Sequence, residues 1–347
     1  MLNFSTEFLE GWGSSVENAR RFTEAHAYRN GNKKRLIHIS PHISLTGAKS
    51  DRWIVIKPGT EGLVALAIAS IIREEKGNYE FLKTYLDSYK PETVAETTGV
   101  PVEKMRELAK DVLDNGPLLA LAGGNLIATD QCVETLTAVN ILNAVAGALG
   151  KTIRFYDQDP AEVASHNEVN KLISDLNSNK IKLLIIDDSN PVYALPPSMK
   201  FIEAMKKAFV VSIASQKSET THLANLVMPA LTPYESWGDA YPRSGVRSIQ
   251  QPVMSPVNMF DAQAREDIML NAVQKVDKKA FSGITSYLDY LQNKWRKIQS
   301  EFGNSDNFEN FWINVLENGG IFKNPVFSNV KLSKNVTSSK INDPGMA

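Results

Sequence analysis

Cysteine is almost absent from this chain, since Cys132 is the only one among its 347 residues. One thiolate cannot supply the ligands of an iron–sulfur cluster or of a cysteine-rich zinc site. It also excludes a disulfide bond within the chain. Cys132 lies in a helix-like stretch, and we interpret it as a small buried side chain. The chemistry of the chain therefore does not come from cysteine.

An excess of charge and a long apolar run are lacking as well. The sequence has 38 Lys and Arg against 39 Asp and Glu, and 43% of its residues are hydrophobic. This balance is typical of an ordinary globular protein and gives no basic surface for nucleic acid. The apolar runs at 62–72 and 136–150 are too short for a membrane span, and no signal peptide is visible at the start. We expect neither nucleic-acid binding nor direct membrane insertion.

The histidines form no metal-binding or catalytic pattern. His38 and His42 are four residues apart, but Pro41 between them excludes a shared helical face. The other three, at 26, 166 and 222, are scattered. We therefore predict no metal site and no catalytic residue.

Short apolar strands alternate with helices along the chain. This order predicts an α/β fold in which mostly parallel sheets are covered by helices. We predict a loop over residues 3–15, then a helix that stops at Asn30-Gly31-Asn32. The main predicted strands are 35–40, 52–58, 117–123, 152–157, 181–188, 209–214 and 225–231.

Three turns that follow predicted strands are candidate ligand sites, because open α/β sheets bind ligands at the carboxyl ends of their strands. They are Gly123-Gly124-Asn125, Asp187–Pro191 and Ser212–Thr220. The glycine turn carries no dinucleotide or phosphate-loop fingerprint, so a tight strand-to-helix turn remains an alternative interpretation.

The two adjacent aspartates of the second turn do not suggest a catalytic pair. Neighbouring residues of a strand point to opposite faces, so Asp187 and Asp188 should not converge on one group. We interpret Asp188 or Ser189 as a cap of the following turn.

Several segments in a fixed order resemble the molybdopterin oxidoreductase superfamily, the large subunits of complex iron–sulfur molybdoenzymes. They are 50–67, 95–112, 188–196, 218–230 and 235–256. Within that superfamily, three motifs are most similar to the molybdoenzyme-like family of alternative complex III: Phe8-Leu9 with Trp12, Ser44 to Asp51, and Gly238 to Met254.

The resemblance implies a formate dehydrogenase/DMSO reductase-like fold with two Rossmann-like three-layer αβα domains. It assigns 35–150 to an inserted α/β domain, and 1–34 with 151–275 to an α/β domain that faces a pterin cleft. Residues 276–325 would form a helical extension and 326–347 a flexible tail. The iron–sulfur domain and the final β-barrel of relatives have no counterpart, so the chain resembles a fragment with an unprotected sheet edge.

The same resemblance predicts the positions that line the pterin cleft. Two departures, His42 in place of a common arginine and Asn225 in place of a common aspartate, imply a degenerate cleft. We therefore expect no bound cofactor, with molybdopterin guanine dinucleotide as the alternative. The predicted cleft positions are Gly123, Gly124, Asn125, Asp188, Ser189, Asn190, Pro191, Ser218, Glu219 and Thr220.

By resemblance, the chain would be part of a membrane-associated quinol-oxidising electron-transfer complex, on the periplasmic face of the bacterial cytoplasmic membrane. Its partners would be iron–sulfur, haem c and quinol-binding membrane subunits, and any iron–sulfur clusters would lie outside this chain. Two alternatives remain open. The chain could be part of an active bis-molybdopterin guanine dinucleotide-dependent oxidoreductase, or a free-standing nucleotide-binding α/β enzyme.

Overall fold

A computed structural model describes residues 1–28, 33–156, 164–257, 260–302, 307–338 and 341. The chain divides into two compact units. The first contains Met1–Phe155 and Phe327–Ala347, and the second contains Tyr156–Val326. Among the described residues, no helix is both long and apolar enough to cross a membrane.

Strands and helices alternate through both units. The strands are β1 (Leu2–Phe4), β2 (Ile37–Ser40), β3 (Arg52–Val55), β4 (Ala120–Ala122), β5 (Phe155–Tyr156), β6 (Leu183–Asp187), β7 (Phe209–Ala214), β8 (Leu226–Pro229), β9 (Gly238–Ala240), β10 (Val246–Gln250), β11 (Gly320–Phe322) and β12 (Phe327–Ser328). The helices are α1 (Ser15–His26), α2 (Leu45–Ala48), α3 (Glu61–Lys76), α4 (Lys83–Asp87), α5 (Pro91–Thr98), α6 (Val102–Asn115), α7 (Cys132–Ala146), α8 (His166–Asn177), α9 (Pro191–Ala194), α10 (Phe201–Met205), α11 (Glu219–Leu223), α12 (Arg265–Val276), α13 (Tyr287–Glu301) and α14 (Phe308–Asn318).

The first unit is built on a four-stranded parallel sheet in the order β3-β2-β1-β4. Leu2 pairs with Ile37 on one side and with Ala120 on the other, so β1 is a central strand. The predicted loop over residues 3–15 is therefore wrong at Asn3 and Phe4, and at Ser15, which begins α1. The position of β1 also places the start of the chain in this unit.

Helix α3 supplies many buried residues of the apolar core that includes this sheet. Its sequence, EGLVALAIASIIREEK, is apolar on nearly every side, and Leu66 and Ile68 are completely buried. Gly77 ends the helix in the left-handed conformation (φ +60°), which glycine adopts without a steric cost. Since the helix begins directly after β3, its first residue, Glu61, lies at the carboxyl end of the sheet.

Part of the segment predicted to be a flexible tail contacts the first unit. Leu332 and Val336 pack against its apolar core, and Ile341 is only 6% exposed. The Ile341 backbone N–H donates to the Tyr89 hydroxyl at 3.2 Å. These three apolar residues, spaced four and five positions apart, contact the core of the unit. Their spacing gives no regular pattern in the sequence.

The second unit contains a parallel sheet, β6-β7-β8, and an antiparallel sheet, β11-β10-β9. The antiparallel sheet packs on α13 and α14 through an aromatic cluster that includes Trp295 and Trp312. Both sheets that carry predicted strand-end turns are parallel, so the predicted α/β class with mostly parallel sheets is confirmed.

The predicted element boundaries agree best where a strand is apolar throughout. β7 spans the predicted 209–214, whereas the predicted strand at 152–157 is reduced to β5. The predicted helix stop at Asn30-Gly31-Asn32 and residue 157 lie outside the described residues. Cys132 begins α7 and is partly exposed, so its predicted burial is wrong.

Candidate functional site

Asn190 holds together two of the predicted strand-end turns in the second unit. Its Nδ2 donates to Glu219 Oε2 at 2.6 Å, and its Oδ1 accepts from both the N–H (3.2 Å) and the hydroxyl (2.8 Å) of Thr220. Thr220, which is completely buried, also accepts from the Val192 N–H at 3.2 Å. The turn after β6 and the start of α11 are therefore joined by one hydrogen-bond network.

Asp188 is fixed by neighbours from two other elements. Its Oδ1 accepts from the N–H and the hydroxyl of Ser215, each at 3.1 Å, and Arg265 Nη2 lies 3.1 Å from its Oδ2. Burial alone raises the pKa of Asp188, but the hydrogen bonds from Ser215 and the charge of Arg265 outweigh it, so the pKa lies below its ordinary value. Asp188 is therefore held as a carboxylate.

Two predictions about these aspartates are wrong. The Arg265 guanidinium lies near both carboxylates, with Nη1 3.7 Å from Asp187 Oδ1, so the pair does converge on one group. The reason is the backbone of Asp188, whose φ of +41° takes it out of the strand conformation. Asp188 also does not cap the next turn, because the N-cap position of α9 is occupied by Asn190.

Ser218 and Asn225 shape the loop around α11. Ser218 caps this short helix by accepting from the Thr221 N–H, while the Thr221 hydroxyl accepts in return from the Ser218 N–H. Asn225 Oδ1 accepts from the Val210 N–H at 2.8 Å, and its own N–H donates to the Val210 carbonyl. Asn225 thus ties the loop before β8 to the start of β7. Ser189 lies exposed in the turn after β6, and Pro191 is the first residue of α9.

Glu219 gives this site a negative character. Its hydrogen bond from Asn190 is the largest cause that lowers its pKa, followed by its own backbone N–H, while the nearby His222 adds a smaller effect. Glu219 is exposed, so its ionised carboxylate repels a phosphate group at this turn through a water-screened interaction. The Asn190 oxygen already accepts twice from Thr220, and one of its two Nδ2 hydrogens is used by Glu219, so the amide keeps at most one N–H for an anionic dinucleotide.

The glycine turn of the first unit lies directly under an indole ring. A Cβ atom on Gly123 would be 2.5 Å from Trp12 Nε1, and one on Gly124 would be 3.5 Å from Trp12 Cδ1. Asn18 Nδ2 donates to the Trp12 carbonyl at 3.1 Å, which fixes the loop that carries the ring. Because the indole contacts the backbone that a phosphate would approach, this turn does not fit a phosphate group either. Asn125, exposed to solvent, begins the 3₁₀ turn that follows.

The switch point of the four-stranded sheet carries a buried carboxyl group. The strand order reverses between β1 and β4, and open sheets place ligand sites at such a point. The Ser5 hydroxyl, just beyond β1, donates to Glu61 Oε1 at 2.7 Å, and Glu61 is 1% exposed. Burial raises the pKa of Glu61. This pair is a second polar cluster at a strand end.

Asn3 and His38 form a buried polar pair on neighbouring strands, β1 and β2. Asn3 Nδ2 contacts His38 Nδ1 at 2.9 Å and also donates to the Thr6 carbonyl, while its Oδ1 accepts from the Thr6 N–H. His38 is completely buried, and burial is the main cause that lowers its pKa to about 4. The imidazole is therefore neutral, and it accepts from Asn3 through Nδ1.

Sequence reasoning missed Arg265, Ser5 and Glu61, and it placed Trp12 in a family motif without the contact that the ring makes. Each of these residues acts on a partner far away in the chain. Among the described residues, no group of three or more His, Cys, Asp or Glu side chains is arranged to hold a metal ion. Neither the Asn190 network nor the Ser5–Glu61 pair therefore provides a complete set of metal ligands from the described residues.

Comparison with known proteins identifies the family. A family model described as molybdopterin oxidoreductase matches residues 10–272, which is most of the chain. The chain is 24% identical over 317 residues to the menaquinone reductase molybdopterin-binding-like subunit of Nitratidesulfovibrio vulgaris, an alignment that covers 85% of this chain and 45% of that protein. It is 25% identical over 268 residues to the probable oxidoreductase YoaE of Bacillus subtilis, an alignment that covers 67% of this chain and 39% of that protein.

A more distant relative and a solved structure extend the comparison. The molybdopterin-containing subunit PhsA of Salmonella typhimurium thiosulfate reductase is 20% identical over 214 residues, with 58% of this chain and 28% of that protein covered. Acetylene hydratase from Pelobacter acetylenicus superposes with a TM-score of 0.55 at 16% identity, over 76% of this chain and 45% of that one. The chain thus spans less than half the length of these relatives.

The acetylene hydratase likeness agrees with the expected DMSO reductase-like fold. The family model covers every strand of the two parallel sheets except β1. The chain belongs to the molybdopterin oxidoreductase family.

Proposed function

We propose that this chain forms the molybdopterin oxidoreductase-like part of a membrane-associated, quinol-oxidising electron-transfer complex of the alternative complex III type, and that its pterin cleft holds no pterin. The cleft would then serve as a rigid scaffold between redox-active subunits. The chain itself would contribute no catalytic residue, and electrons would pass through clusters and haems carried elsewhere in the complex.

The observation that carries the proposal is the closed network around Asn190. Its amide bonds with Glu219 and Thr220, and the ionised Glu219 stands at the turn where an anionic cofactor group would be bound. The indole of Trp12 over the glycine turn of the first unit supports the same conclusion independently. Trp12 and the Asn190 network thus take up part of the surface of the predicted cleft segments, which supports a cleft without a pterin.

An exposed apolar sheet face supports association with other proteins. Leu183, Ile185 and Phe209 alternate along β6 and β7 on one face of the parallel sheet and are 53%, 41% and 52% exposed. Contiguous apolar surface of this kind marks protein contacts in soluble proteins. Two of the relatives are themselves named as subunits, one of them of a menaquinone reductase. We infer partners that include iron–sulfur, haem c and quinol-binding membrane subunits, with the chain attached peripherally at the periplasmic face.

The proposal is tested in the native host by removing the gene and, separately, by replacing molybdate in the medium with tungstate. Isolated membranes are assayed for menadiol oxidation, and a host molybdenum enzyme serves as the control for tungstate. We expect that gene deletion abolishes the menadiol oxidation carried by the complex. Tungstate should leave that activity unchanged while the control enzyme is lost.

The two treatments separate the two parts of the proposal. If gene deletion leaves menadiol oxidation unchanged, the role in a quinol-oxidising complex is wrong. If tungstate abolishes the activity, the pterin cleft is occupied and the chain is part of an active bis-molybdopterin guanine dinucleotide-dependent oxidoreductase.

A further inference from the structure

A pocket in the second unit lies next to Arg265, the residue that pairs with Asp188 at the end of β6. It has a volume of about 320 Å³ and is formed by the β9–β10 hairpin and the start of α12. This volume is at the lower end of the range for small-molecule sites. Trp237 contributes an aromatic side chain to the wall, and Arg265 and Glu266 stand at one side.

The serine hydroxyls and the glutamine amide of the pocket donate hydrogen bonds to backbone carbonyls. The Ser236 and Ser248 hydroxyls donate to the carbonyls of Thr232 and Ala240, at 3.0 and 3.2 Å. Gln250 Nε2 donates to two further carbonyls, at 2.9 and 3.1 Å. The oxygens of these side chains therefore remain to accept, so the pocket is suited to a ligand that donates hydrogen bonds.

Of the charged side chains that line the pocket, Asp239 and Arg265 have oppositely charged partners, whereas one oxygen of Glu266 has no hydrogen-bond partner. Asp239 is neutralised by Lys294, whose Nζ lies 2.8 Å from Asp239 Oδ2, and Arg265 is engaged by Asp188. Glu266 Oε2 is buried and has no hydrogen-bond partner. A buried oxygen of this kind is costly unless it is satisfied, and a cationic donor satisfies it best.

We propose that this pocket binds a small organic cation, a guanidinium or primary ammonium group, whose N–H groups donate to Glu266 and to the serine and glutamine oxygens. The Trp237 ring adds an aromatic surface that favours a positive charge. A divalent metal is not the expected ligand, because no set of three or more His, Cys, Asp or Glu side chains suited to a metal exists in the described part of the chain.

The test is a titration of the whole chain with methylguanidinium or methylammonium chloride at constant ionic strength, followed by the indole N–H resonance of Trp237. Trp237→Phe assigns that resonance, and N-methylurea serves as the neutral probe of similar shape. We expect saturable binding of a cation and no saturable binding of the urea. Glu266→Gln, which keeps the shape of the side chain, should weaken binding by about tenfold or more, whereas the matched control Glu309→Gln, on the exposed face of α14, should not change it.

The pH dependence gives a second measurement that needs no variant. Burial raises the pKa of Glu266, with Asp187 and Asp267 adding to this effect and Arg265 opposing it. The other charged or titratable groups nearby are Tyr287 and the Asp239–Lys294 pair. Cation binding should therefore tighten as the pH rises and Glu266 loses its proton.

Three results would overturn the proposal: no saturable shift with either cation, equal binding of N-methylurea, or unchanged affinity in Glu266→Gln. Affinity that stays constant as Glu266 ionises would also contradict it.

Discussion

The buried His38 predicts that the first unit loses stability in mild acid. Asn3 Nδ2 contacts its Nδ1 at 2.9 Å, so protonation of Nδ1 would remove this bond. Gly47 leaves little free space on the other side of the ring, since a Cβ there would lie 2.7 Å from His38 Cδ2. The imidazole is completely buried, so the charged form has neither water nor a carboxylate in direct contact.

The magnitude follows from the lowered pKa. The pKa of His38 falls from 6.5 to about 4 because of burial, with a further lowering from His42 and a smaller raising from Glu10. A histidine with a depressed pKa in the folded state contributes nothing above its unfolded pKa and destabilises as the pH falls below it. Between about pH 7 and about pH 5 the expected loss is about 2 kcal/mol, and it approaches about 3 kcal/mol below pH 4.

The assay is urea denaturation of the wild type and of His38→Gln over this pH range. Glutamine does not titrate and can still accept from Asn3, so the variant should lose about 2 kcal/mol less than the wild type on acidification. His166→Gln, at an exposed position of α8, serves as the control and should behave like the wild type. Parallel pH profiles for wild type and His38→Gln would refute the reasoning.

Three substitutions test the packing and hydrogen bonds described above. Gly123→Ala should destabilise the first unit by about 1–3 kcal/mol, because the new methyl group overlaps the Trp12 indole. Thr220→Val should cost about 1–3 kcal/mol, since it leaves the Val192 N–H without its partner and removes a donor to Asn190. Asn143→Leu should cost about 2–4 kcal/mol, because both hydrogen bonds from its side chain to the Ala120 backbone disappear. Urea denaturation measures all three.

Each of these predictions has its own control. In a Trp12→Ala background, Gly123→Ala should cost much less, and an undiminished cost would show that the indole is not the cause. Thr23→Val, at an exposed position of α1, should be nearly neutral, and a similar loss there would contradict the role of Thr220. Asn140→Leu, on the exposed side of α7, is the control for Asn143, and equal losses would show that the Ala120 bonds contribute nothing.

The parallel architecture was predictable because its strands are short apolar runs that end in turns. β7, FVVSIA, has the predicted bounds since it is rich in β-branched residues throughout. β1 could not be recognised, because three residues at the chain start have no pattern of their own. Its strand conformation depends on pairing with β2 and β4, which lie 35 and more residues away.

The candidate site was predictable to the level of turns but not of individual contacts. The rule that parallel strands end at one edge explains why the turn with Asn190 meets the one with Glu219 and Thr220. The contact between Arg265 and Asp188 could not be predicted from local sequence, because the two residues are 77 positions apart. The same holds for Trp12 and Gly123, which are 111 positions apart. The left-handed backbone of Asp188 was not predicted either, and it accompanies side-chain contacts with Ser215 and Arg265, which are distant in sequence.

The central claim is that the cleft of this molybdopterin oxidoreductase family member holds no pterin. The most direct measurement is the molybdenum and pterin content of the chain purified from cells that make the cofactor, with molybdenum counted by mass spectrometry and pterin by the fluorescence of its oxidised form. We predict that both are far below one equivalent per chain. One equivalent of molybdenum or pterin, retained through purification, would contradict the claim.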